Sequence, residues 1–317
     1  MYFLDYVWSN WIIVAFLAPF FWALVNIIDV YFVSSVYEDE WDGIIINSVF
    51  QSLPLLLPLL GIVTFVFPGI LPSVLAFTGG ALLVISFFFY FKTLFISSDV
   101  VVVQAFWNLS VPLVPFFAWL LIGEKLTFVN YVGIALAFIG AMLFTLHKKI
   151  KERRLGKVFA VMIGAIVFFS LSMVVQAEAF RLMDGDFWSG FLIFSLGASV
   201  TGLFLLFFDP QPLKLRMSHV IKMSKTYFGV FVLAESLNLL GVAASQRAID
   251  LSPAVSFVAV IGSSIPVFVM FLSFVLVIVF IALNKERARE IYQSQLVAFK
   301  TKIAACCIIA TGIYLIS

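Results

Sequence analysis

Charge is scarce in these 317 residues: Asp, Glu, Lys and Arg together make up 11%, where a soluble domain carries about a quarter. With 63% hydrophobic residues and a mean hydropathy of +1.16, the chain has too little polar surface for a water-soluble fold. Histidine and cysteine are nearly missing as well. His147 and His219 fall between apolar runs, in expected loops, and Cys306 and Cys307 are neighbours within the last run. Adjacent cysteines on a helix point to different faces and act as small apolar fillers. No metal-ligand cluster and no Cys-His or serine-elbow arrangement can be assembled from this set, so no metal, no cofactor and no enzyme activity is expected. A Walker-type phosphate loop is absent, which argues against ATP-driven transport by this chain alone. Nothing points to a nucleic-acid partner. Met1 to Asn10 lacks a basic stretch and no small-residue cleavage site follows the first apolar run, so no cleavable signal peptide is expected.

What the sequence has in quantity is apolar runs, at residues 11–33, 43–66, 70–90, 98–122, 128–146, 158–179, 187–208, 227–248, 253–283 and 296–316. A bilayer core of about 30 Å takes about 20 residues of helix, so the expected fold is an all-α integral membrane protein with ten transmembrane helices. The basic run KKIKERRLGK, from Lys148 to Lys157, reads as a solvated linker loop. It separates residues 1–147 from residues 158–317, five helices each. The charged segment 284–295 reads as a short interfacial helix between the ninth and tenth spans.

The two halves carry related text. Ser98, Val101, Ala105, Ser110, Pro112 and Phe117 reappear 154 residues later as Ser252, Val255, Ala259, Ser264, Pro266 and Phe271. Proline inside a long apolar segment deletes a backbone donor and clashes with the preceding turn, so its recurrence at one place in both halves argues for duplication. Five is an odd number of crossings, so the second half starts from the opposite side of the membrane. That is a 5+5 inverted-topology repeat, whose geometry puts a binding site near the midplane between the halves and serves transport by rocking one against the other.

The run PLVPFFAWLLIGEKLTFVNYVGIALAFIGAMLF, Pro112 to Phe144, resembles the EamA-type drug/metabolite transporter superfamily, in which a Pro-bearing fourth helix ends in a Gly-Glu pair. Here that pair is Gly123 and Glu124, followed by Thr127 and a fifth helix containing Gly133 and Gly140. The second half is a weaker copy, with Ala248, Leu251, Ser252 and Pro253 before the span of Pro266, Gly312 in the last span, and Val277 and Ile278 where Gly-Glu would stand. The resemblance implies a secondary transporter whose substrates range over amino acids, drugs, sugars and nucleotide derivatives. Gly123 is read as a helix C-cap, Glu124 as a partner of Lys125 or a neighbouring loop, and the other glycines as packing positions.

Ionisable and polar groups inside the spans are the candidate substrate-binding or coupling residues, because an acid at a helix centre costs about 2.5–3.5 kcal/mol on insertion scales. Glu235 sits mid-span with Asn238, Val242 and Ser245 on its face. Cavity wall and structural hydrogen bond are its two readings. On the first span Trp22, Asn26 and Asp29 share a face, with Gln176 as the second-half equivalent of Asp29. Glu178 and Arg181 read as an interfacial pair. On the fourth span Gln104, Trp107 and Asn108 share a side ahead of Pro112 and Pro115, which with Pro266 form the expected hinges. Tyr90 joins the site set. Lys92 and Arg247, at span ends, either snorkel to the interface or bind an anionic substrate. Most of the 38 Phe are lipid-facing or packed, and Trp8, Trp11, Trp41 and Trp188 fit an interfacial belt.

The expected function is secondary transport of a small organic metabolite such as an amino acid, amine or drug-like solute, by an exporter or exchanger, with Glu235 as a candidate proton carrier. A lipid or lipid-linked metabolite flippase and a non-transporting sensor or assembly factor are the alternatives. The expected partners are the solute, the lipid bilayer and coupling protons, in a monomer or homodimer of a bacterial-type inner or plasma membrane. Of the 19 Lys and Arg, all but Lys125, Arg181 and Arg247 fall in odd-numbered loops or at the span ends beside them. The positive-inside rule therefore puts both termini outside, whereas the resemblance implies cytoplasmic termini.

Overall fold

The computed structural model describes residues 2–97, 100–145, 155–283 and 299–317. Ser98, His147, most of the basic linker and the charged segment 284–295 lie outside the described residues. Every regular element among the described residues is helical. Nine helical segments there are long and apolar enough to cross a membrane, and another apolar helix, Phe128–Phe144, is shorter. The chain is an all-α, multi-pass membrane protein.

The first half runs through α1 (Tyr2–Ser9), α2 (Trp11–Ser35), α3 (Glu40–Gln51), the single turn α4 (Leu56–Leu59), α5 (Ile70–Ile96), α6 (Val100–Trp107), α7 (Ser110–Ile122) and α8 (Phe128–Thr145). The second comprises α9 (Leu155–Leu182), α10 (Phe187–Leu205), α11 (Leu213–Leu251), α12 (Val255–Gly262), α13 (Ile265–Leu283) and α14 (Phe299–Ile316). Side chains set several of the starts. Asn10 Oδ1 accepts from the backbone N–H of Ile12 and Ile13 at 3.1 and 3.2 Å, and Asp39 Oδ1 accepts from that of Trp41 at 3.0 Å. These are helix donors without an intrahelical partner.

Three expectations need correction. The second span does not run helically to 66: α3 gives way to a 3₁₀ turn at Leu53–Leu55, α4 ends at Leu59, and the chain reaches Gly69 without regular structure. Pro54 and Pro58 remove the backbone donors a continuous helix would need there. The eighth span is only part of α11. Its expected start at 227 coincides with a kink, where Tyr227 leaves helical geometry at φ −113°, ψ 20°, but the helix begins well before, at Leu213. His219 and the basic residues from Lys214 to Lys225 are therefore helical rather than in a loop.

The third correction concerns the hinges. The fourth and ninth segments are each broken into an eight-residue helix and a longer one, with breaks at Asn108–Leu109 and Ser263–Ser264. Pro112 and Pro266 lie after these breaks, in the first turns of α7 and α13, where a missing N–H costs nothing because that donor has no intrahelical partner. The prolines start helices rather than kink them. Pro112 is exposed, whereas Pro115, inside α7, and Pro266 are buried.

Helices meet where small residues permit it. α5 packs along α9 and α10, α2 along α11, and α8 along α14. A Cβ built on Gly80 would stand 1.9 Å from the Phe194 carbonyl oxygen, and one on Gly197 would stand 2.1 Å from that of Phe77, so α5 and α10 touch backbone to backbone. Gly133 and Gly312 do the same between α8 and α14, each facing the other's carbonyl. Hydroxyls add polar contacts between α5 and α9: Ser86 donates to the Ala165 carbonyl at 2.7 Å and Ser172 to that of Gly79 at 2.6 Å.

Gly123 ends α7 in the left-handed region at φ 67°. Beyond it Glu124 partners neither Lys125 nor a loop: its carboxylate accepts the Val255 N–H at 2.8 Å and the Ser256 hydroxyl. α12 has no side-chain cap of its own, so Glu124 supplies one from the other half of the chain. Burial pushes the Glu124 carboxyl above the ordinary carboxylate range, against the hydrogen bonds from Ser256 and Val255 that lower it.

Candidate functional site

Two cavities lie side by side in the interior. The larger, about 650 Å³ including the part open to the outside, is walled by α2, α3, α5, α6, α9, α11 and α13. α2 presents Trp22, Val25, Asn26 and Asp29 to it, and α11 presents Glu235 and Asn238. Phe87, Tyr90 and Phe91 come from α5, Gln104 and Trp107 from α6, Asn47 from α3, Phe169 from α9 and Ile265 from α13. The smaller cavity, about 440 Å³ by the same measure, is lined beside both helix breaks by Asn108, Ser110, Gly262 and Ser263, with Ser245 on its wall. Trp22, Trp107, Phe169 and Ile265 border both and form the partition between them.

The aromatic wall is braced. Trp107 stands edge-on to Tyr90, with ring centroids 5.3 Å apart, and leans on Phe169 at 4.8 Å. Trp22 lies where Gly241 leaves room for it, since a Cβ there would stand 2.8 Å from the indole nitrogen.

The polar groups are incompletely satisfied. Glu235 Oε2 accepts from Asn47 Nδ2 at 3.2 Å and from Asn238 Nδ2 at 3.3 Å. Asn47 is 2% exposed, yet among the described residues its Oδ1 has no hydrogen-bond partner, and neither has the buried Gln104 Nε2. Buried polar atoms left unpaired cost about 1–3 kcal/mol each, and these two are borne by residues that line the cavity, where a ligand can meet them. No Lys, Arg or His is among the described residues that line it, so Asp29 and Glu235 share one cavity without a basic partner in its wall.

Of the residues expected at a site, Trp22, Asn26, Asp29, Tyr90, Gln104, Trp107, Glu235 and Asn238 are brought to the larger cavity. Asn108 is not; it lines the smaller one and donates to the Ala141 carbonyl at 3.3 Å. Gln176 lines neither. It is fully buried against Gly79, where α9 and α5 approach too closely for a cavity between them. Val242 packs in the core rather than at a cavity wall.

Lys92 and Arg247 are also elsewhere. Lys92 pairs with Glu40 at 3.8 Å and sits over the Phe88 ring, while Arg247 pairs with Asp250, donates to the Trp8 carbonyl at 3.3 Å and covers Phe187. Glu178 and Arg181 form an ion pair near the end of α9. Trp41 packs inside, 4.9 Å from Phe88 between centroids, rather than standing in a belt.

Two features escaped the sequence. Asn47 belongs to a stretch, Asn47-Ser48-Val49-Phe50-Gln51, whose polar ends one turn apart were the available signal. The other is Arg216, 0% exposed, whose guanidinium donates to Asp39 at 2.7 Å, Asp42 at 2.9 Å and Asp209 at 2.6 Å. His219 lies beside the same group, 3.3 Å from Asp42 and 3.4 Å from Glu38. Three carboxylates around one fully buried guanidinium tie the start of α3, the turn before α11 and α11 itself together at one end of the bundle. The acids Glu38, Asp39, Glu40 and Asp42 were the clue: so dense a group calls for a cation.

No protein-family model and no curated protein matches the chain. Among the solved structures that do match, one described only as the crystal structure of a protein superposes over 98% of this chain and 97% of its own, with a TM-score of 0.67 at 14% identity. At that identity the likeness speaks for the fold alone.

Proposed function

We propose that this protein is a secondary transporter of a small organic metabolite, an exporter or exchanger of the EamA type, built as a 5+5 inverted repeat that alternates access to the larger cavity. The observation that carries this function is the cavity itself: two acids, one from each half of the chain, beside the unpaired Asn47 Oδ1 and Gln104 Nε2. Helix pairing supports the repeat. Exchanging the halves turns the pair α2 and α11 into α9 and α5, the pair α5 and α10 into α11 and α3, and the pair α7 and α9 into α13 and α2, and leaves α8 with α14 unchanged; all of these pairs are in contact. The two broken helices exchange as well, and both breaks border the smaller cavity, where a change of bend would move its walls.

The other readings have less support. A lipid flippase calls for basic residues at a headgroup-level opening, and the two candidates, Lys92 and Arg247, are engaged in ion pairs and line neither cavity. A sensor or assembly factor calls for polar faces of the first, fourth and eighth spans filled by mutual hydrogen bonds with no cavity, whereas those faces line one and Gln104 Nε2 is unfilled.

Glu235 is the proposed proton carrier. The groups near it are Asp29 and Tyr37, with the amides of Asn47 and Asn238. In proteoliposomes, a solute gradient moves protons with the wild-type protein, and Glu235→Gln abolishes that coupling and flattens the pH profile of flux. Flux with an unchanged pH profile in Glu235→Gln removes the assignment, and the absence of solute flux across a broad panel removes the transport function.

A further inference from the structure

The chemistry of the cavity narrows the solute. Its ionisable lining residues of ordinary charge are Asp29 and Glu235, both acids, and no basic side chain lines it. Among the described residues the Asp29 carboxyl has no hydrogen bond, and the Glu235 carboxyl receives its two from neutral amides that bring no compensating charge. Asn47, almost wholly buried, turns one amide group to Glu235 and leaves its oxygen, an acceptor, unmet. An ammonium carries donors and no acceptor, which suits an inventory of two carboxyls and a free carbonyl oxygen. Six of the lining residues are aromatic, Trp22 and Trp107 among them, and a ring face attracts a cation through its quadrupole, most strongly where water is excluded. An anion would face two acids with nothing to neutralise it. A neutral ligand would leave whatever negative charge the acids carry uncompensated in an apolar protein, which is costly.

We propose that the larger cavity binds a small organic cation: an amine whose charged nitrogen sits between Asp29 and Glu235 and whose carbon skeleton rests against Trp22 and Trp107. Gln104 Nε2, an unpartnered donor, then meets an oxygen of the same molecule where it has one. This inference rests on the transport function for its purpose but not for its test.

The test is binding to the purified full-length protein in detergent, by thermal shift and calorimetry, of a size series of alkylamines and arylalkylamines. Each is compared with the alcohol and the carboxylate of the same skeleton. The expected result is that amines bind and that their matched alcohols and carboxylates bind at least about tenfold more weakly. Glu235→Gln and Asp29→Asn should each weaken amine binding by about tenfold or more, the scale of a lost charge-assisted hydrogen bond. Binding of alcohols or carboxylates as tight as that of amines overturns the proposal, as does the absence of amine binding or unaltered amine affinity in both variants. If the variants do not fold, the wild-type comparison of the three headgroups decides alone. Amines that bind without crossing liposomes overturn the transport function and leave the cation site standing; flux of a neutral or anionic solute that no amine inhibits does the reverse.

Discussion

At the scale of single residues, burial decides which charges hold the protein together and which wait for a ligand. Arg216 is buried and saturated, its planar fork shared among three carboxylates in a way a lysine ammonium does not reproduce. Removing one member of a buried ion group costs about 3–5 kcal/mol because the partners keep their charge. Arg216→Ala should therefore lower the melting temperature in detergent sharply, Arg216→Lys should recover little of it, and Arg216→Ala with Asp42→Asn should be less damaged than Arg216→Ala alone. A double variant no better than the single one would show that the three acids are not the source of the loss. Asp29 and Glu235 differ from the Arg216 acids in having no cation among the residues that line their cavity, and on that difference the proposed solute site depends. Sequence reasoning found both cavity acids because acids inside apolar runs are conspicuous. Arg216 was not legible in the same way, because a charged residue between apolar runs is ordinarily solvated and this one is fully buried.

At the scale of helices, close packing and breaks matter more than hydrophobicity, since lipid is as apolar as the side chains and does not drive helices together. The contact of α5 with α10 relies on Gly80 and Gly197, where any side chain meets a carbonyl oxygen of the other helix. Gly80→Leu or Gly197→Leu should push the two apart and cost at least the ~1–3 kcal/mol of an overpacked core. Gly229, in α11 with open space around it, serves as the control: Gly229→Ala should leave thermal stability unchanged or raise it. Equal effects at Gly80 and Gly229, read as melting temperatures, would contradict a packing role. The repeated prolines located the two broken segments correctly but not the breaks, which fall a few residues earlier at Asn108–Leu109 and Ser263–Ser264. The reason is that proline is excluded from a helix interior yet suits a first turn, so the same residue type reads as kink or as start until the neighbouring turns are seen.

At the scale of the whole molecule, the partition of Trp22, Trp107, Phe169 and Ile265 draws one residue from each of four helices, α2, α6, α9 and α13. Two of those four, α6 and α13, are halves of the broken segments, so a change at either break shifts the partition. With Cys306 and Cys307 replaced by Ala, a cysteine at Ser245 in the smaller cavity should react faster with a small water-soluble thiol reagent when Phe169→Ala opens the partition; equal labelling rates would show that Phe169 does not gate that space. Taken alone, the sequence determined the membrane class and the approximate spans, because the transfer cost of charge and the length of a helix across a bilayer are properties of short stretches. It also marked most of the polar cavity wall, since a buried acid or amide in an apolar helix stands out by composition. Only the tertiary structure decided that Asp29 and Glu235 share one cavity, that Gln176 does not reach it, that Glu124 caps a helix of the other half, and that Arg216 is buried among three aspartates. Those outcomes depend on which faces of distant helices meet, and helix-to-helix approach is set by glycines, breaks and side-chain volumes acting together, which no single segment encodes.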